Sequence, residues 1–199
     1  MIVPIDQGFG FDWANRGFGY VWATFGIVWF AAVGFSKPQA RTVPIASRLS
    51  QSAILILGFL FIFSPWLRHG WLGTHIWPTN LDEAYIGLAI TCGGVLFAFW
   101  ARFTLGTNWS SRPMVKVGHE LIVKGPYRLV RHPIYTGLLL AGAGSAIAVG
   151  RWCIMPGMAL VVLGLLLKIS QEERLMTEAF PAAYPDYRRQ VKALIPWAV

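Results

Sequence analysis

Residues 133–167 read PIYTGLLLAGAGSAIAVGRWCIMPGMALVVLGLLL, and Arg151 is the only charged side chain among them. About 20 mostly apolar residues carry a helix across a hydrocarbon core roughly 30 Å thick. The stretch is therefore long enough for two short passes, with Arg151 at the bend. It predicts a tight helical hairpin, 133–150 and 152–167, whose turn just reaches the far interface. Pro133 suits the first turn of the first arm, where a missing N–H removes no intrahelical bond.

The same test picks out charge-free runs at 17–36, 49–67 and 84–101. Five runs predict an all-α fold, a polytopic membrane helical bundle of about five transmembrane helices with the last two forming the hairpin. Composition agrees: of 199 residues, 55% are hydrophobic and 13% charged, about half the charged share of an average soluble domain. A disordered chain is excluded, and a water-soluble fold does not fit. The net charge of +8 would by itself suggest nucleic acid. Ten Trp and 13 Phe leave too little polar surface for such a module, so no nucleic-acid partner is expected. Most Trp fall near the ends of the runs, where amphipathic rings settle at the headgroups of the membrane lipids.

The basic residues then become a topology signal. Lys37, Arg41 and Arg48 follow the first run; Arg102, Arg112, Lys116, Lys124, Arg128 and Arg131 follow the third; Lys168, Arg174, Arg188, Arg189 and Lys192 follow the fifth. Those fourteen of seventeen fall on one face, leaving Arg16, Arg68 and Arg151 on the other. Basic loops stay in the cytoplasm. The pattern predicts an integral, multi-pass membrane protein with its N-terminus outside and its C-terminus cytoplasmic. The first seventeen residues lack a basic n-region and carry Asp6 and Asp12, so the first run reads as a retained helix rather than a cleaved signal. The chain divides into residues 1–101, with three helices, and 102–199, with a loop, the hairpin and a tail, all within one membrane domain.

Cys92 and Cys153 sit inside apolar runs without metal or redox spacing. His69, His75, His119 and His132 are scattered without ligand spacing, so no metal is expected. Chemistry is left to two polar stretches on the cytoplasmic side. The first, 102–132, runs through Asn108-Trp109-Ser110, Gly118-His119-Glu120-Leu121 and Gly125-Pro126-Tyr127-Arg128 into Arg131-His132-Pro133-Ile134-Tyr135. It delivers His132 to the N–H-rich start of a helix, where an anionic or polar group can dock. Gly137, Gly142 and Gly144 allow close approach of a neighbouring helix or a ligand.

The second stretch, 168–192, opens with Lys168 and Gln171-Glu172-Glu173-Arg174. A hairpin returns its second arm to the face where the first began, so His132 and Glu172/Glu173 can be neighbours. Two carboxylates toward a helix C-terminus oppose the macrodipole and call for a cation. That cation is either Lys168 or Arg174 in a structural pair, or a ligand.

The order Asn108-Trp109-Ser110, Gly118-His119-x-Leu121, Gly125-x-Tyr127, Arg131-His132-Pro133-x-Tyr135, an apolar hairpin, Glu172-Glu173, then Tyr184 and Tyr187 resembles the isoprenylcysteine carboxyl methyltransferase family. The resemblance covers residues 105–196. Phospholipid N-methyltransferases and the C-terminal part of sterol reductases look similar there. The resemblance implies an S-adenosylmethionine-dependent membrane O-methyltransferase, with S-adenosyl-L-methionine held at the cytoplasmic ends of the last two helices. A lipophilic or prenylated acceptor would enter from the bilayer. Carried over by position, Val123, Lys124, Gly125, Tyr127, His132 and Tyr135 would hold the cofactor, and Glu172 or Glu173 its ammonium.

A sulfonium methyl donor is already activated, so methyl transfer mainly requires alignment and exclusion of water. A C-terminal carboxylate, with a pKa of about 3.5, is ionised at neutral pH and needs no base. It needs a positioning cation, for which Arg131 is the first choice with Asn108 as helper; Arg131 can equally anchor headgroups, and Asn108 can serve the loop. Arg174, Pro181 and Ala193 depart from the family pattern on the acceptor side. The alternatives are a phospholipid N-methyltransferase and a non-catalytic membrane scaffold that keeps the fold.

Overall fold

The computed structural model describes residues 5–33, 39–42, 45–77, 80–106, 114–116 and 121–196. Along the chain these form α1 (Ile5–Val33), β1 (Gln39–Thr42), α2 (Ile45–Phe63), α3 (Leu81–Leu105), β2 (Met114–Lys116), α4 (Pro133–Val149), α5 (Ile154–Ala179) and α6 (Ala183–Gln190). Each of the five apolar runs supplies the body of a helix. In hydrocarbon a helix satisfies its own backbone, which an isolated strand cannot do.

α3 and α5 are long and apolar enough to cross a membrane, and Leu49–Phe63 of α2 and Pro133–Val149 are shorter apolar helices. In their most apolar windows only 39% and 33% of the residues of α3 and α5 are buried, so neither is the core helix of a soluble protein. Leu96, Leu163, Leu166 and Leu167 project outward instead, a surface that lipid accepts and water does not.

Two helix pairs build the bundle. α3 carries Ala84, Gly87, Thr91, Gly94, Ala98 and Ala101 buried at spacings of three and four, and α4 answers with Gly137, Ala141 and Gly144. A Cβ on Gly94 would meet the carbonyl oxygen of Gly137 at 2.5 Å, and one on Gly144 that of Gly87 at 2.5 Å. Of the two uses open to Gly137 and Gly144, close helix approach is the one realised. Thr91 donates to the Ala141 carbonyl at 3.1 Å, and Trp22 of α1 donates to Ser145 at 3.1 Å, polar links of the kind that join helices where lipid supplies no hydrophobic drive. The second pair is α2 with α5, antiparallel, packed through Gly58, Gly157, Val161 and Gly164.

The hairpin is tight at its turn: Gly150 adopts the left-handed conformation at φ 57°, and Arg151 bonds the Gly73 carbonyl at 2.9 Å. Its two arms pack chiefly elsewhere, α4 on α3 and α5 on α2. The fold is all-α as expected, with one local addition. β1 and β2 form a short antiparallel ribbon, Thr42 opposite Met114, joining the two polar segments that flank α2 and α3. Neither three- or four-residue segment has enough alternation to announce a strand.

Candidate active site

The return of the hairpin brings the start of α4 against the far end of α5. His132 is the N-cap of α4, and Glu172 and Glu173 lie beyond the apolar portion of α5, 154–167. The imidazole stands between the two carboxylates: Nδ1 is 3.6 Å from Glu172 Oε2 and Nε2 is 3.3 Å from Glu173 Oε1. Tyr135, one turn on, donates its hydroxyl to Glu172 Oε1 at 2.5 Å and stacks on the His132 ring, centroids 5.7 Å apart. Lys168 Nζ sits 5.5 Å over the Tyr135 ring, one helical turn before Glu172.

Arg131 is committed to the same cluster. It donates from Nε (2.9 Å) and Nη2 (2.6 Å) to Glu173 Oε1, and from Nη1 to the carbonyls of Arg188 and Val191. The guanidinium expected to hold an acceptor carboxylate thus clamps Glu173 to the tail after α6. The tail is further strapped across the start of α4: Arg131 N–H donates to the Lys192 carbonyl (2.8 Å), His132 N–H to that of Ala193 (3.0 Å), and the Thr136 hydroxyl to that of Leu194 (2.7 Å). Tyr187 reaches from α6 to the Tyr127 carbonyl at 2.5 Å.

Charge follows geometry. Burial works against ionisation of His132, but the bonds to Glu172 and then Glu173 outweigh it and raise its pKa above the ordinary value. Burial likewise opposes ionisation of Glu173; the bonds from His132 and Arg131 prevail and bring it down to about 2. Glu172 is lowered for the same reason, by His132 and Lys168 against burial. Both carboxylates are anionic at neutral pH, and they in turn favour the protonated form of His132. They differ in access, since the Glu172 side chain is 22% exposed and that of Glu173 10%. Arg188 Nε lies 3.4 Å from Glu173 Oε2, so both oxygens of Glu173 face cations, whereas Glu172 keeps lone pairs open.

The loop before α4 contributes a wall. Val123 and Lys124 are exposed, and Gly125 turns the chain at φ 59°, close enough to α3 that a Cβ would meet the Thr104 hydroxyl at 3.2 Å. Tyr127 is buried with Ala101 and Ile134. Its phenol pKa is raised well above normal by burial and then by the charge of Glu172, which places it within the field of the cluster. Asn108 and His119 lie outside the described residues. Sequence reasoning brought together Arg131, His132, Tyr135, Glu172 and Glu173, and it missed Arg188 and Thr136. Arg188 sits on a short helix amid other basic residues, with no local pattern to mark it. An apolar cleft lined by Phe18, Gly19, Trp22, Phe59 and Phe63 lies toward the other end of α2 and is no part of this cluster.

Residues 86–178, which carry α4 and most of α5, match the family described as the isoprenylcysteine carboxyl methyltransferase (ICMT) family. The chain is 24% identical over 179 residues to protein-S-isoprenylcysteine O-methyltransferase B of Arabidopsis thaliana, covering 86% of this chain and 85% of that one. It is 28% identical over 177 residues to methanethiol S-methyltransferase 2 of Bradyrhizobium diazoefficiens, covering 83% and 66%. Among solved structures it resembles the eukaryotic intramembrane Ras methyltransferase ICMT, with a TM-score of 0.53 and 22% identity over 76% of this chain and 51% of that one, a likeness of fold. The family whose model matches residues 86–178 is thus the same one that the motif order resembles.

Proposed function

We propose that this chain is an integral membrane methyltransferase that moves a methyl group from S-adenosylmethionine to the carboxylate of a lipophilic acceptor such as a C-terminal isoprenylcysteine. The observation that carries the reading is the His132-bridged pair Glu172/Glu173 where α4 begins and α5 leaves its apolar portion. The methionyl end of the cofactor bears an ammonium and a carboxylate. The site offers a complementary set: an accessible carboxylate at Glu172, and cations at His132 and Lys168. When bound, the cofactor supplies an activated methyl on its sulfonium.

Within this assignment Glu172 binds the ammonium, because Glu173 already faces Arg131, His132 and Arg188. Tyr135 orients Glu172 through its hydroxyl. Val123, Lys124 and Gly125 form the exposed lip against which the rest of the cofactor lies, with Tyr127 beneath it. Arg131 acts through Glu173 and the tail rather than on the acceptor. An ionised carboxylate needs no base, so the chain has only to align it with the methyl group and keep water out.

The bundle makes five passes with this site on the cytoplasmic face and the N-terminus outside, as the fourteen basic residues on one side support. At 17 residues, α4 spans about 26 Å, enough for a thin crossing. A second reading is supported by the methanethiol S-methyltransferase relatives: the same donor site with a small thiol as acceptor.

The test is binding followed by transfer. Purified protein should show a saturable thermal shift with S-adenosylhomocysteine, and the shift should be lost in Glu172→Gln. Labelled methyl should pass to a prenylcysteine acid. Absence of the shift removes both readings, and transfer to a thiol but not to the acid selects the second.

A further inference from the structure

The N-terminal helices hold one polar group that nothing above explains. Gln51 of α2 is 5% exposed, and its Nε2 is buried with no hydrogen-bond partner. A buried amide N–H left unpaired costs free energy, and such a group calls for a reason. Its neighbours Ser50, Ser52 and Ala53 are exposed. Gln51 falls one turn before Leu55, Gly58 and Ile62, which pack on α5, and it is the polar one of these four.

The register of that packing fixes what Gln51 faces. Ile62 lies beside Gly157, where a Cβ would approach it to 2.7 Å; Gly58 lies beside Val161, at 2.9 Å; Leu55 lies beside Gly164, at 2.8 Å. Each turn back along α2 is thus matched by a turn forward along α5. One more turn sets Gln51 level with Lys168, on the approach to Glu172. On a third helix, Tyr135 packs against the same cluster as Leu55, that of Ile62, Val161 and Leu165, while its hydroxyl bonds Glu172. By this register Gln51 falls level with Lys168, one turn of α5 to the membrane side of Glu172.

We propose that Gln51 is an acceptor-binding residue, its unpaired amide N–H receiving an oxygen of the acceptor's carboxylate at the cytoplasmic end of the α2–α5 seam; this rests on the carboxylate reading of the site. An N–H donor can serve neither an ammonium nor a sulfonium, so its partner is a lone pair: a carboxylate oxygen of the acceptor, or the carboxylate, ribose or adenine of the cofactor. The position favours the first. Ile56 and Leu60 of α2 and Leu163 and Leu167 of α5 expose aliphatic surface outward on the faces of these two helices turned away from the seam, the lipid-facing side from which an apolar acceptor arrives.

The test uses the full chain in lipid nanodiscs with Gln51→Leu and Gln51→Glu. Expected in both is a fall of about tenfold to a hundredfold in kcat/KM for N-acetyl-S-farnesylcysteine, the range for a lost hydrogen bond to a charged group. S-adenosylhomocysteine affinity should be unchanged, and the Tm of Q51L unchanged or higher, because the leucine removes the orphaned donor. Full activity in the variants overturns the assignment, as does a parallel loss of S-adenosylhomocysteine affinity, which would give Gln51 to the cofactor. If Q51L does not fold, the isosteric Q51E carries the same prediction. Wild-type protein that methylates a thiol but not the acid removes the carboxylate reading and this assignment together. An active wild type with unaffected variants removes this assignment alone.

Discussion

Arg131 shows how a residue's role depends on what it touches. From sequence it is a cation next to a helix start, suited to an acceptor carboxylate. In the fold its guanidinium is spent on Glu173 and two tail carbonyls. Removing one partner of a buried ion pair leaves the other uncompensated and costs about 3–5 kcal/mol. Arg131→Met should therefore lower the unfolding temperature markedly and expose the Arg188 to Lys192 segment to trypsin. Slowed transfer in a fully stable protein would instead return Arg131 to the acceptor. Lysine should rescue poorly, since it lacks the planar fork.

The same cluster sets a pH window. His132, raised by its carboxylates, contributes stability that is complete below its unfolded value of about 6.5 and is lost as pH rises through the folded value. Glu173, held at about 2, contributes stability present above about 4.3 and lost as pH falls toward its folded value. Thermal unfolding followed against pH should peak between these limits and decline from about pH 6.5 upward. In His132→Gln the alkaline decline should flatten; an unchanged alkaline limb would show that the ion bridge does not hold the tail.

At the scale of elements, the seam between α3 and α4 is a fit of backbone to backbone, and neighbouring glycines make it measurable. A Cβ on Gly94 would lie 2.5 Å from the Gly137 carbonyl, whereas one on Gly93 meets nothing within 4 Å. Gly94→Ala should destabilise by about 1–3 kcal/mol through overpacking. Gly93→Ala should be neutral or stabilise, by up to about 1 kcal/mol, through helix propensity. Equal unfolding temperatures for the two variants would mean that the seam yields. This seam positions the site, because α4 carries His132 and Tyr135 while α3 holds the loop at Gly125.

At the scale of the molecule, the chain works as two helix pairs clasped at one end. α3–α4 presents the imidazole, α2–α5 presents the carboxylates, and the tail crosses between them. The proposed five-pass topology puts the clasp on the side of the segments that carry fourteen of the seventeen basic residues. A reporter fused to the C-terminus should therefore read as cytoplasmic and one at the N-terminus as external. Both termini on one side would refute five passes.

Much of this was legible from the chain alone. Charge-free runs mark helices because lipid forbids any other use of the backbone, and Arg131-His132-Pro133-x-Tyr135 with Glu172-Glu173 marks the cluster because a hairpin returns to its starting face. The ribbon of β1 and β2 was not legible, being too short to carry a period. Nor was the commitment of Arg131, the greater openness of Glu172 or the position of Gln51. A residue's type and its place along a helix follow from local order. Its partners are settled only when distant segments meet, because hydrogen bonds and burial belong to pairs of surfaces that the sequence holds far apart.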